Sequence, residues 1–369
     1  YQGFNEYCGW MHTSSAVDVA DLYAEKVIKK EKGLFYEYDK KLLPVKEKKI
    51  SIRYKDGAAL KTKVITAYFT HHGPVMATRN GKWISLKSYN RSMKSLEQSW
   101  KRTKATGFDD FKKVMDLKAN TSNNTVFADR NGKIAYWHGN YIPVRDTKFD
   151  WSAPVDGSIK ATEYKGLHPV EQSVHSYDPA SGWLQNCNST PFTAAGSASP
   201  KRADYPTYMA PDGENFRGVN AVKVLSAKEK YSLDDMITAG YDTHLSAFDI
   251  LLPPLIAAFE KNDNPAYAGL KEQIAVLKNW DRRSGVNSVA TTLAVEWAQK
   301  LNSSIQKVYI NPGEADQVLS AKKFAETATA DQLLLPLNAV VKDLTKRFGK
   351  WDMPWGEINR FQRISNQLN

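Results

Sequence analysis

The sequence predicts an α+β fold, on three observations. Apolar and polar positions alternate through 50–90, helical spacing takes over beyond 217, and the strand-like runs precede the helical ones. A doubly wound sheet would interleave the two periods instead.

In chain order, Ile50, Ile52 and Tyr54, then Val64, Ile65, Ala67 and Phe69, form strand-like runs. Lys55-Asp56-Gly57 and Arg79-Asn80-Gly81 supply hairpin turns between them. Over 107–117 the spacing becomes helical, with Phe108, Phe111, Val114, Met115 and Leu117 on one face after Gly107. Thr125–Ala128, a turn at Asp129–Gly132, and Ile134–Trp137 read as strand, turn and strand. From 145 to 216 the chain is rich in Gly, Pro, Ser and Asp and lacks a period, the pattern of a long functional loop region. Leu270, Ile274 and Leu277 then share a helical face, as do Ala290, Leu293, Ala294, Trp297 and Leu301, and 330–348 continues so. These shifts place a sheet-rich portion at 1–217 and a mainly helical portion at 218–369, packed on it.

With 42% apolar residues among 369, the chain can bury a substantial core. Its net charge of +11 lies largely in Lys26–Lys63, where lysines alternate with Glu and strand-forming residues. That is a solvated strand pair. No zinc spacing, aromatic RNA-binding motif or basic helix accompanies the charge, which argues against nucleic acid. Cys8 and Cys187 have no metal-ligand spacing, and whether they pair stays open. No apolar run approaches the roughly 20 residues of a membrane span.

The stretch Gly182-Trp183-Leu184-Gln185-Asn186-Cys187-Asn188-Ser189-Thr190-Pro191 packs amides between turn signals, and Arg217 follows within thirty positions. An amide fixed by a tight turn can donate to a developing oxyanion, and a nearby arginine can hold that amide or a carboxylate in place. Asn188-Ser189-Thr190 also spells a glycosylation sequon, read here as coincidental. His12 reads as a packed, hydrogen-bonded histidine. His71-His72 has the look of a metal pair, but strand neighbours point to opposite faces, which argues against it.

Several separated motifs add to this: Gly9-Trp10-Met11-His12-Thr13, Asp18-Val19-Ala20-Asp21-Leu22-Tyr23-Ala24-Glu25, His72-Gly73-Pro74-Val75, Asn124-Thr125-Val126-Phe127-Ala128-Asp129, Gln185–Pro191 and Phe216-Arg217. In this order the set resembles the penicillin acylase family of N-terminal-nucleophile hydrolases. The resemblance implies an αββα sandwich, incomplete at both ends, as an internal portion of the large subunit. It implies that a serine, placed before the first residue of this chain, attacks an amide with its own α-amine as base. The oxyanion would be held by the Ser14 backbone N–H and the Asn188 side chain, with Arg217 beside the nucleophile. Trp100 and Asn123 would face the acyl pocket, and the polar Asn123 argues against a phenylacetyl group. Asp18, Ala20 and Asp21 would ligate a structural calcium ion. The implied partners are a small α subunit and further β-subunit segments of one precursor, with a small-molecule amide as substrate: a β-lactam, an acyl-homoserine lactone or a lipopeptide. The implied setting is the bacterial periplasm or exterior. The rival reading is a non-catalytic binding or scaffold protein on the same fold, with this chain inactive by itself.

Overall fold

The computed structural model describes residues 2–88, 92–120, 122–307 and 316–360. Contacts divide the chain into two compact units, one of residues 1–184 and 198–211, the other of 185–197 and 212–369. The composition changes at 217, but the contacts divide earlier and are crossed twice. The amide-rich segment 185–197 is drawn into the helical unit by its backbone: Thr190 N–H donates to Gly213 O (3.0 Å), and Asn215 Nδ2 donates to Asn188 O (3.0 Å).

The first unit is built on sheets. A five-stranded sheet runs in the spatial order Gly3–Phe4, Cys8–Ser14, Asn123–Asp129, Ile134–His138, His175–Tyr177. A six-stranded sheet runs Val155–Asp156, Ala20–Glu25, Lys82–Ser88, Gly73–Arg79, Ala59–Thr70, Lys46–Asp56, and a small third sheet holds Val27–Lys30, Gly33–Tyr38 and Lys41–Pro44. The hairpins form where the turn residues permit. Asn80 and Gly81 both take positive φ (50° and 73°), the conformation a two-residue hairpin needs, and join Gly73–Arg79 to Lys82–Ser88. The lysine-rich pair Lys46–Asp56 and Ala59–Thr70 is paired from Lys46↔Phe69 to Asp56↔Ala59 and is solvated over most of its length.

Two helices, Met93–Arg102 and Phe108–Met115, complete this unit among the described residues. The second is amphipathic, as its spacing predicts, and buries Phe111, Val114 and Met115. Phe111 packs on Phe127 with ring centroids 4.7 Å apart, and Trp137 lies beside both. Asp129 joins the pieces. Its Oδ2 accepts from Phe108 N at the helix start, and its Oδ1 accepts from Asn131 N and Lys133 N in the hairpin turn.

The second unit is a helical assembly of Phe216–Leu225, Leu233–Gly240, Ala247–Glu260, Lys271–Lys278, Val289–Lys307, Gln317–Thr327, Ala330–Phe348 and Trp355–Ile358. Its core collects the predicted faces, including Leu277, Leu293, Trp297, Leu301, Leu334 and Leu337. Buried Trp297 needs a partner for its N–H and donates to Leu333 O (3.0 Å). The helix Ala330–Phe348 starts on a Thr329/Gln332 capping box and stops at Gly349 in the left-handed region.

Candidate active site

The amide-rich loop is a structure of mutual hydrogen bonds around one strained residue. Asn188 has φ +57°, a conformation in which Asn is among the few tolerated side chains. Its backbone N–H donates to Asn186 Oδ1 (2.9 Å), and Asn186 Nδ2 donates to Ser189 O (3.2 Å). Asn215 holds the loop from the helix side. Its Nδ2 donates to the carbonyls of Cys187 and Asn188, while its Oδ1 caps Phe216–Leu225 by accepting from Arg217 N and Gly218 N. The helix can approach because residue 218 is glycine. A Cβ there would lie 2.7 Å from Ser189 Cβ and closer still to Glu214 Oε1.

On this platform Arg217 Nη2 donates to Asn188 Oδ1 (3.0 Å). A guanidinium only donates, so the contact assigns the carbonyl end of the carboxamide to Arg217. The group is planar, and fixing its oxygen also fixes the direction of its N–H bonds. Sequence and structure thus bring Asn188 and Arg217 together. Asn215, which positions both, escaped the sequence reading, although an Asn just before Phe216-Arg217 is an N-cap signal. Burial pushes the Cys187 thiol and the Cys8 thiol up, both are free, and neither is poised as a thiolate nucleophile.

In the strand-rich unit, Ser14 ends the strand Cys8–Ser14, opposite Asn123. The neighbouring peptides are fixed by amides. Asn123 Nδ2 reaches Thr13 O at 3.5 Å, and buried Asn124 donates to Ser14 O and Thr13 Oγ1, both at 3.1 Å. Asn124 Oδ1 in turn accepts from Tyr136 OH (2.7 Å) and His138 Nδ1 (2.6 Å). Trp100 is 66% exposed on Met93–Arg102, with Lys104 Nζ 4.8 Å from its ring, so it is not the core residue its type suggests.

His12 is hydrogen-bonded, as its surroundings require. Arg102 Nη1 donates to His12 Nε2 (2.8 Å), so the ring proton sits on Nδ1, facing Thr125 Oγ1 (3.1 Å). Burial, with the Arg102 guanidinium beside it, pulls His12 down to about 4. The folded pKa lies below the unfolded one. The stabilisation is therefore complete above about pH 6.5 and is lost as pH falls from there through about 4. Asp18, pushed up to about 6, acts in the opposite sense over nearly the same pH range, so we expect the His12 contribution, at most about 3 kcal/mol, to appear as the difference between the pH profiles of the unaltered protein and His12→Gln. An unchanged pH profile in that variant refutes the assignment.

The expected calcium ligands do not fit the ion. Asp21 lies in Ala20–Glu25 and is buried, and Asp18 is partly buried just before it. Between them stands Arg145, whose side chain is wholly buried. Its Nε donates to Asp21 Oδ2 (2.8 Å), and its Nη2 lies 3.3 Å from Asp18 Oδ1. Burial pushes Asp18 up to about 6, against the pull of Arg145. Rings of Tyr208, Tyr164 and Trp151 surround the guanidinium at 5.1 to 5.7 Å. Ca²⁺ takes six to eight oxygen ligands, and to use these carboxylates it would have to displace a buried guanidinium from Asp21 Oδ2 and Asp18 Oδ1. The carboxylates already have a cation, and it is covalently part of the chain.

Beside Arg217 the helical unit contains a cavity of about 640 Å³. Its wall is mostly apolar, with Phe216, Val224, Leu225, Met236 and Phe248, and its polar lining includes Arg217, Asn220, Asp242 and His244. That size suits a small-molecule ligand.

Comparison with known proteins gives consistent results. The family model described as Penicillin amidase matches residues 1–368. Penicillin G acylase of Escherichia coli is 28% identical over 204 residues, which is 51% of this chain and 22% of that protein. Acyl-homoserine lactone acylase QuiP of Pseudomonas aeruginosa is 24% identical over 405 aligned positions, covering 95% of this chain and 43% of that protein. The chain therefore spans less than half the length of these relatives. A solved structure of thermostable penicillin G acylase from Alcaligenes faecalis superposes with a TM-score of 0.70 at 19% identity, over 95% of this chain and 70% of that one.

Proposed function

Because the chain belongs to the penicillin amidase family, we propose that it is the portion of an amide-cleaving acylase that carries an oxyanion donor. The two main sheets are read as the facing layers of an N-terminal-nucleophile hydrolase sandwich. The nucleophilic serine and the rest of that sandwich lie in segments outside these 369 residues, including a small companion subunit from the same precursor. We place the complete protein in the bacterial periplasm or exterior. No helix among the described residues is long and apolar enough to cross a membrane.

In the proposed reaction the serine hydroxyl gives its proton to its own α-amine as it attacks the amide carbon. Asn188 Nδ2–H donates to the oxyanion. As the tetrahedral species collapses, the C–N bond breaks and the proton passes to the departing amine. Water then hydrolyses the ester and regenerates the serine. Arg217 acts through Asn188 as a positioning residue, and the cavity beside it takes an apolar part of the substrate.

The observation that carries this reading is the Arg217–Asn188 hydrogen bond on a left-handed backbone, a carboxamide held in one orientation at a conformational cost. The test is amine release by the complete protein from β-lactam amides, acyl-homoserine lactones and lipopeptides. Turnover of at least one class, with a burst of the first product, is expected. Silence towards all three favours the scaffold reading.

A further inference from the structure

A second cluster of chemistry-bearing side chains lies in the strand-rich unit and includes none of the residues named in the proposed reaction. His71 and His72 were expected in a strand, facing apart. They occupy instead the turn between Ala59–Thr70 and Gly73–Arg79, and their rings lie 3.8 Å apart. His71 Nε2 and His72 Nε2 both point at Glu163 Oε1, at 2.8 and 3.0 Å. Glycine at 73 permits this turn. It has φ +141°, and a Cβ there would collide with Leu86 O.

The outer atoms of both rings are engaged. His72 Nδ1 meets Glu25 Oε1 at 2.8 Å, and that buried carboxylate is itself held by Thr70 Oγ1 (2.8 Å) and Ser85 Oγ (2.5 Å). His71 Nδ1 meets Tyr36 OH at 3.0 Å. Tyr23 stacks on His72 at 3.8 Å and fixes its plane. A ring whose Nδ1 is held by a carboxylate or hydroxyl presents Nε2 as its ligand atom, the arrangement typical of metal-bound histidines. Lys87 Nζ holds Glu163 Oε2 (2.5 Å), which leaves Oε1 as the facing donor.

We propose that His71, His72 and Glu163 form a binding site for a borderline divalent metal, Zn²⁺ foremost. The three ligand atoms already lie within 4.8 Å of one another. Zn–N and Zn–O bonds of about 2.0–2.1 Å require ligand atoms about 3.3 Å apart, a small expansion of the present 2.8 and 3.0 Å contacts. Two imidazoles and one carboxylate suit Zn²⁺ and leave its fourth position open. His71 and Glu163 retain 30% and 24% side-chain exposure, so that position faces solvent. On binding, each imidazole gives up any proton on Nε2 and donates through Nδ1, to Glu25 or Tyr36; the displaced protons go to buffer.

The test uses the complete purified protein, stripped with a chelator and titrated with Zn²⁺ alone, then with Co²⁺ as a spectroscopic probe. One equivalent bound with proton release, and the visible bands of a low-symmetry Co²⁺ centre, are expected. His71→Gln and Glu163→Gln should abolish the bands and weaken Zn²⁺ binding by about 100-fold or more. Lys87→Met removes the competing ammonium and should tighten binding, which keeps the test decisive if a ligand variant misfolds. The proposal is overturned by any of three results: no uptake by the unaltered chain, uptake unchanged in folded His71→Gln, or weaker binding in Lys87→Met.

Discussion

In the complete enzyme, Asn188→Ala is expected to lower kcat by about 10²–10³-fold, the usual cost of losing one oxyanion donor, with KM little changed. The fold should survive. The loop backbone is held by Asn186, Asn215 and Thr190, and the Arg217 guanidinium that loses its partner is solvated. One complication is conformational, because alanine at φ +57° adds roughly 1 kcal/mol of strain. Two further variants separate strain from chemistry. Asn188→Gly relieves the backbone and still lacks the amide. Asn188→Asp keeps the shape and the Arg217 contact but replaces the donor with an acceptor. All three should fall together in kcat while their melting temperatures diverge. Near-normal turnover in Asn188→Asp removes the carboxamide from the mechanism.

What the sequence reveals here is mostly what is local. The Asn80-Gly81 hairpin, the amphipathic face of Phe108–Met115 and the stripe through Leu293, Trp297 and Leu301 follow from turn chemistry and periodicity, and the structure carries each of them. Asn188 and Arg217 are also legible as a pair, since turn signals and a helix start lie within thirty residues. What fails is long-range. Arg145 meets Asp21 across 124 positions of irregular loop, with no local signature of its destination. The calcium reading of Asp18 and Asp21 comes with the family resemblance, and nothing local in the sequence sets Arg145 against it. His71-His72 fails differently: histidines are not turn formers, so a two-residue turn between strands looked like strand, and the convergence on Glu163 stayed hidden. The amide-rich segment carries no period at all, so only its backbone hydrogen bonds assign it to the helical unit.

Removing Arg145 should strongly destabilise the strand-rich unit. A buried ion pair contributes little against an apolar replacement of the whole set, but removal of one partner strands the other charge in a poor dielectric. In Arg145→Met the Asp21 carboxylate, almost fully buried, loses its cation, and Asp18 loses its counter-charge. The expected cost is about 3–5 kcal/mol, or a fall of roughly 5 °C in Tm for a chain of this size. If the loss is electrostatic, neutralising the acids as well should recover part of it. The Arg145→Met, Asp18→Asn, Asp21→Asn triple variant is then more stable than Arg145→Met alone, a coupling that a simple packing defect would not give. The same pairing bears on calcium. With the guanidinium seated between the carboxylates, CaCl₂ added to chelator-treated protein should leave Tm where it is, because a ligand raises Tm only by binding the folded state better than the unfolded one. A rise of several degrees with CaCl₂, abolished in Asp21→Asn, would show instead that the ion displaces Arg145 from its carboxylates.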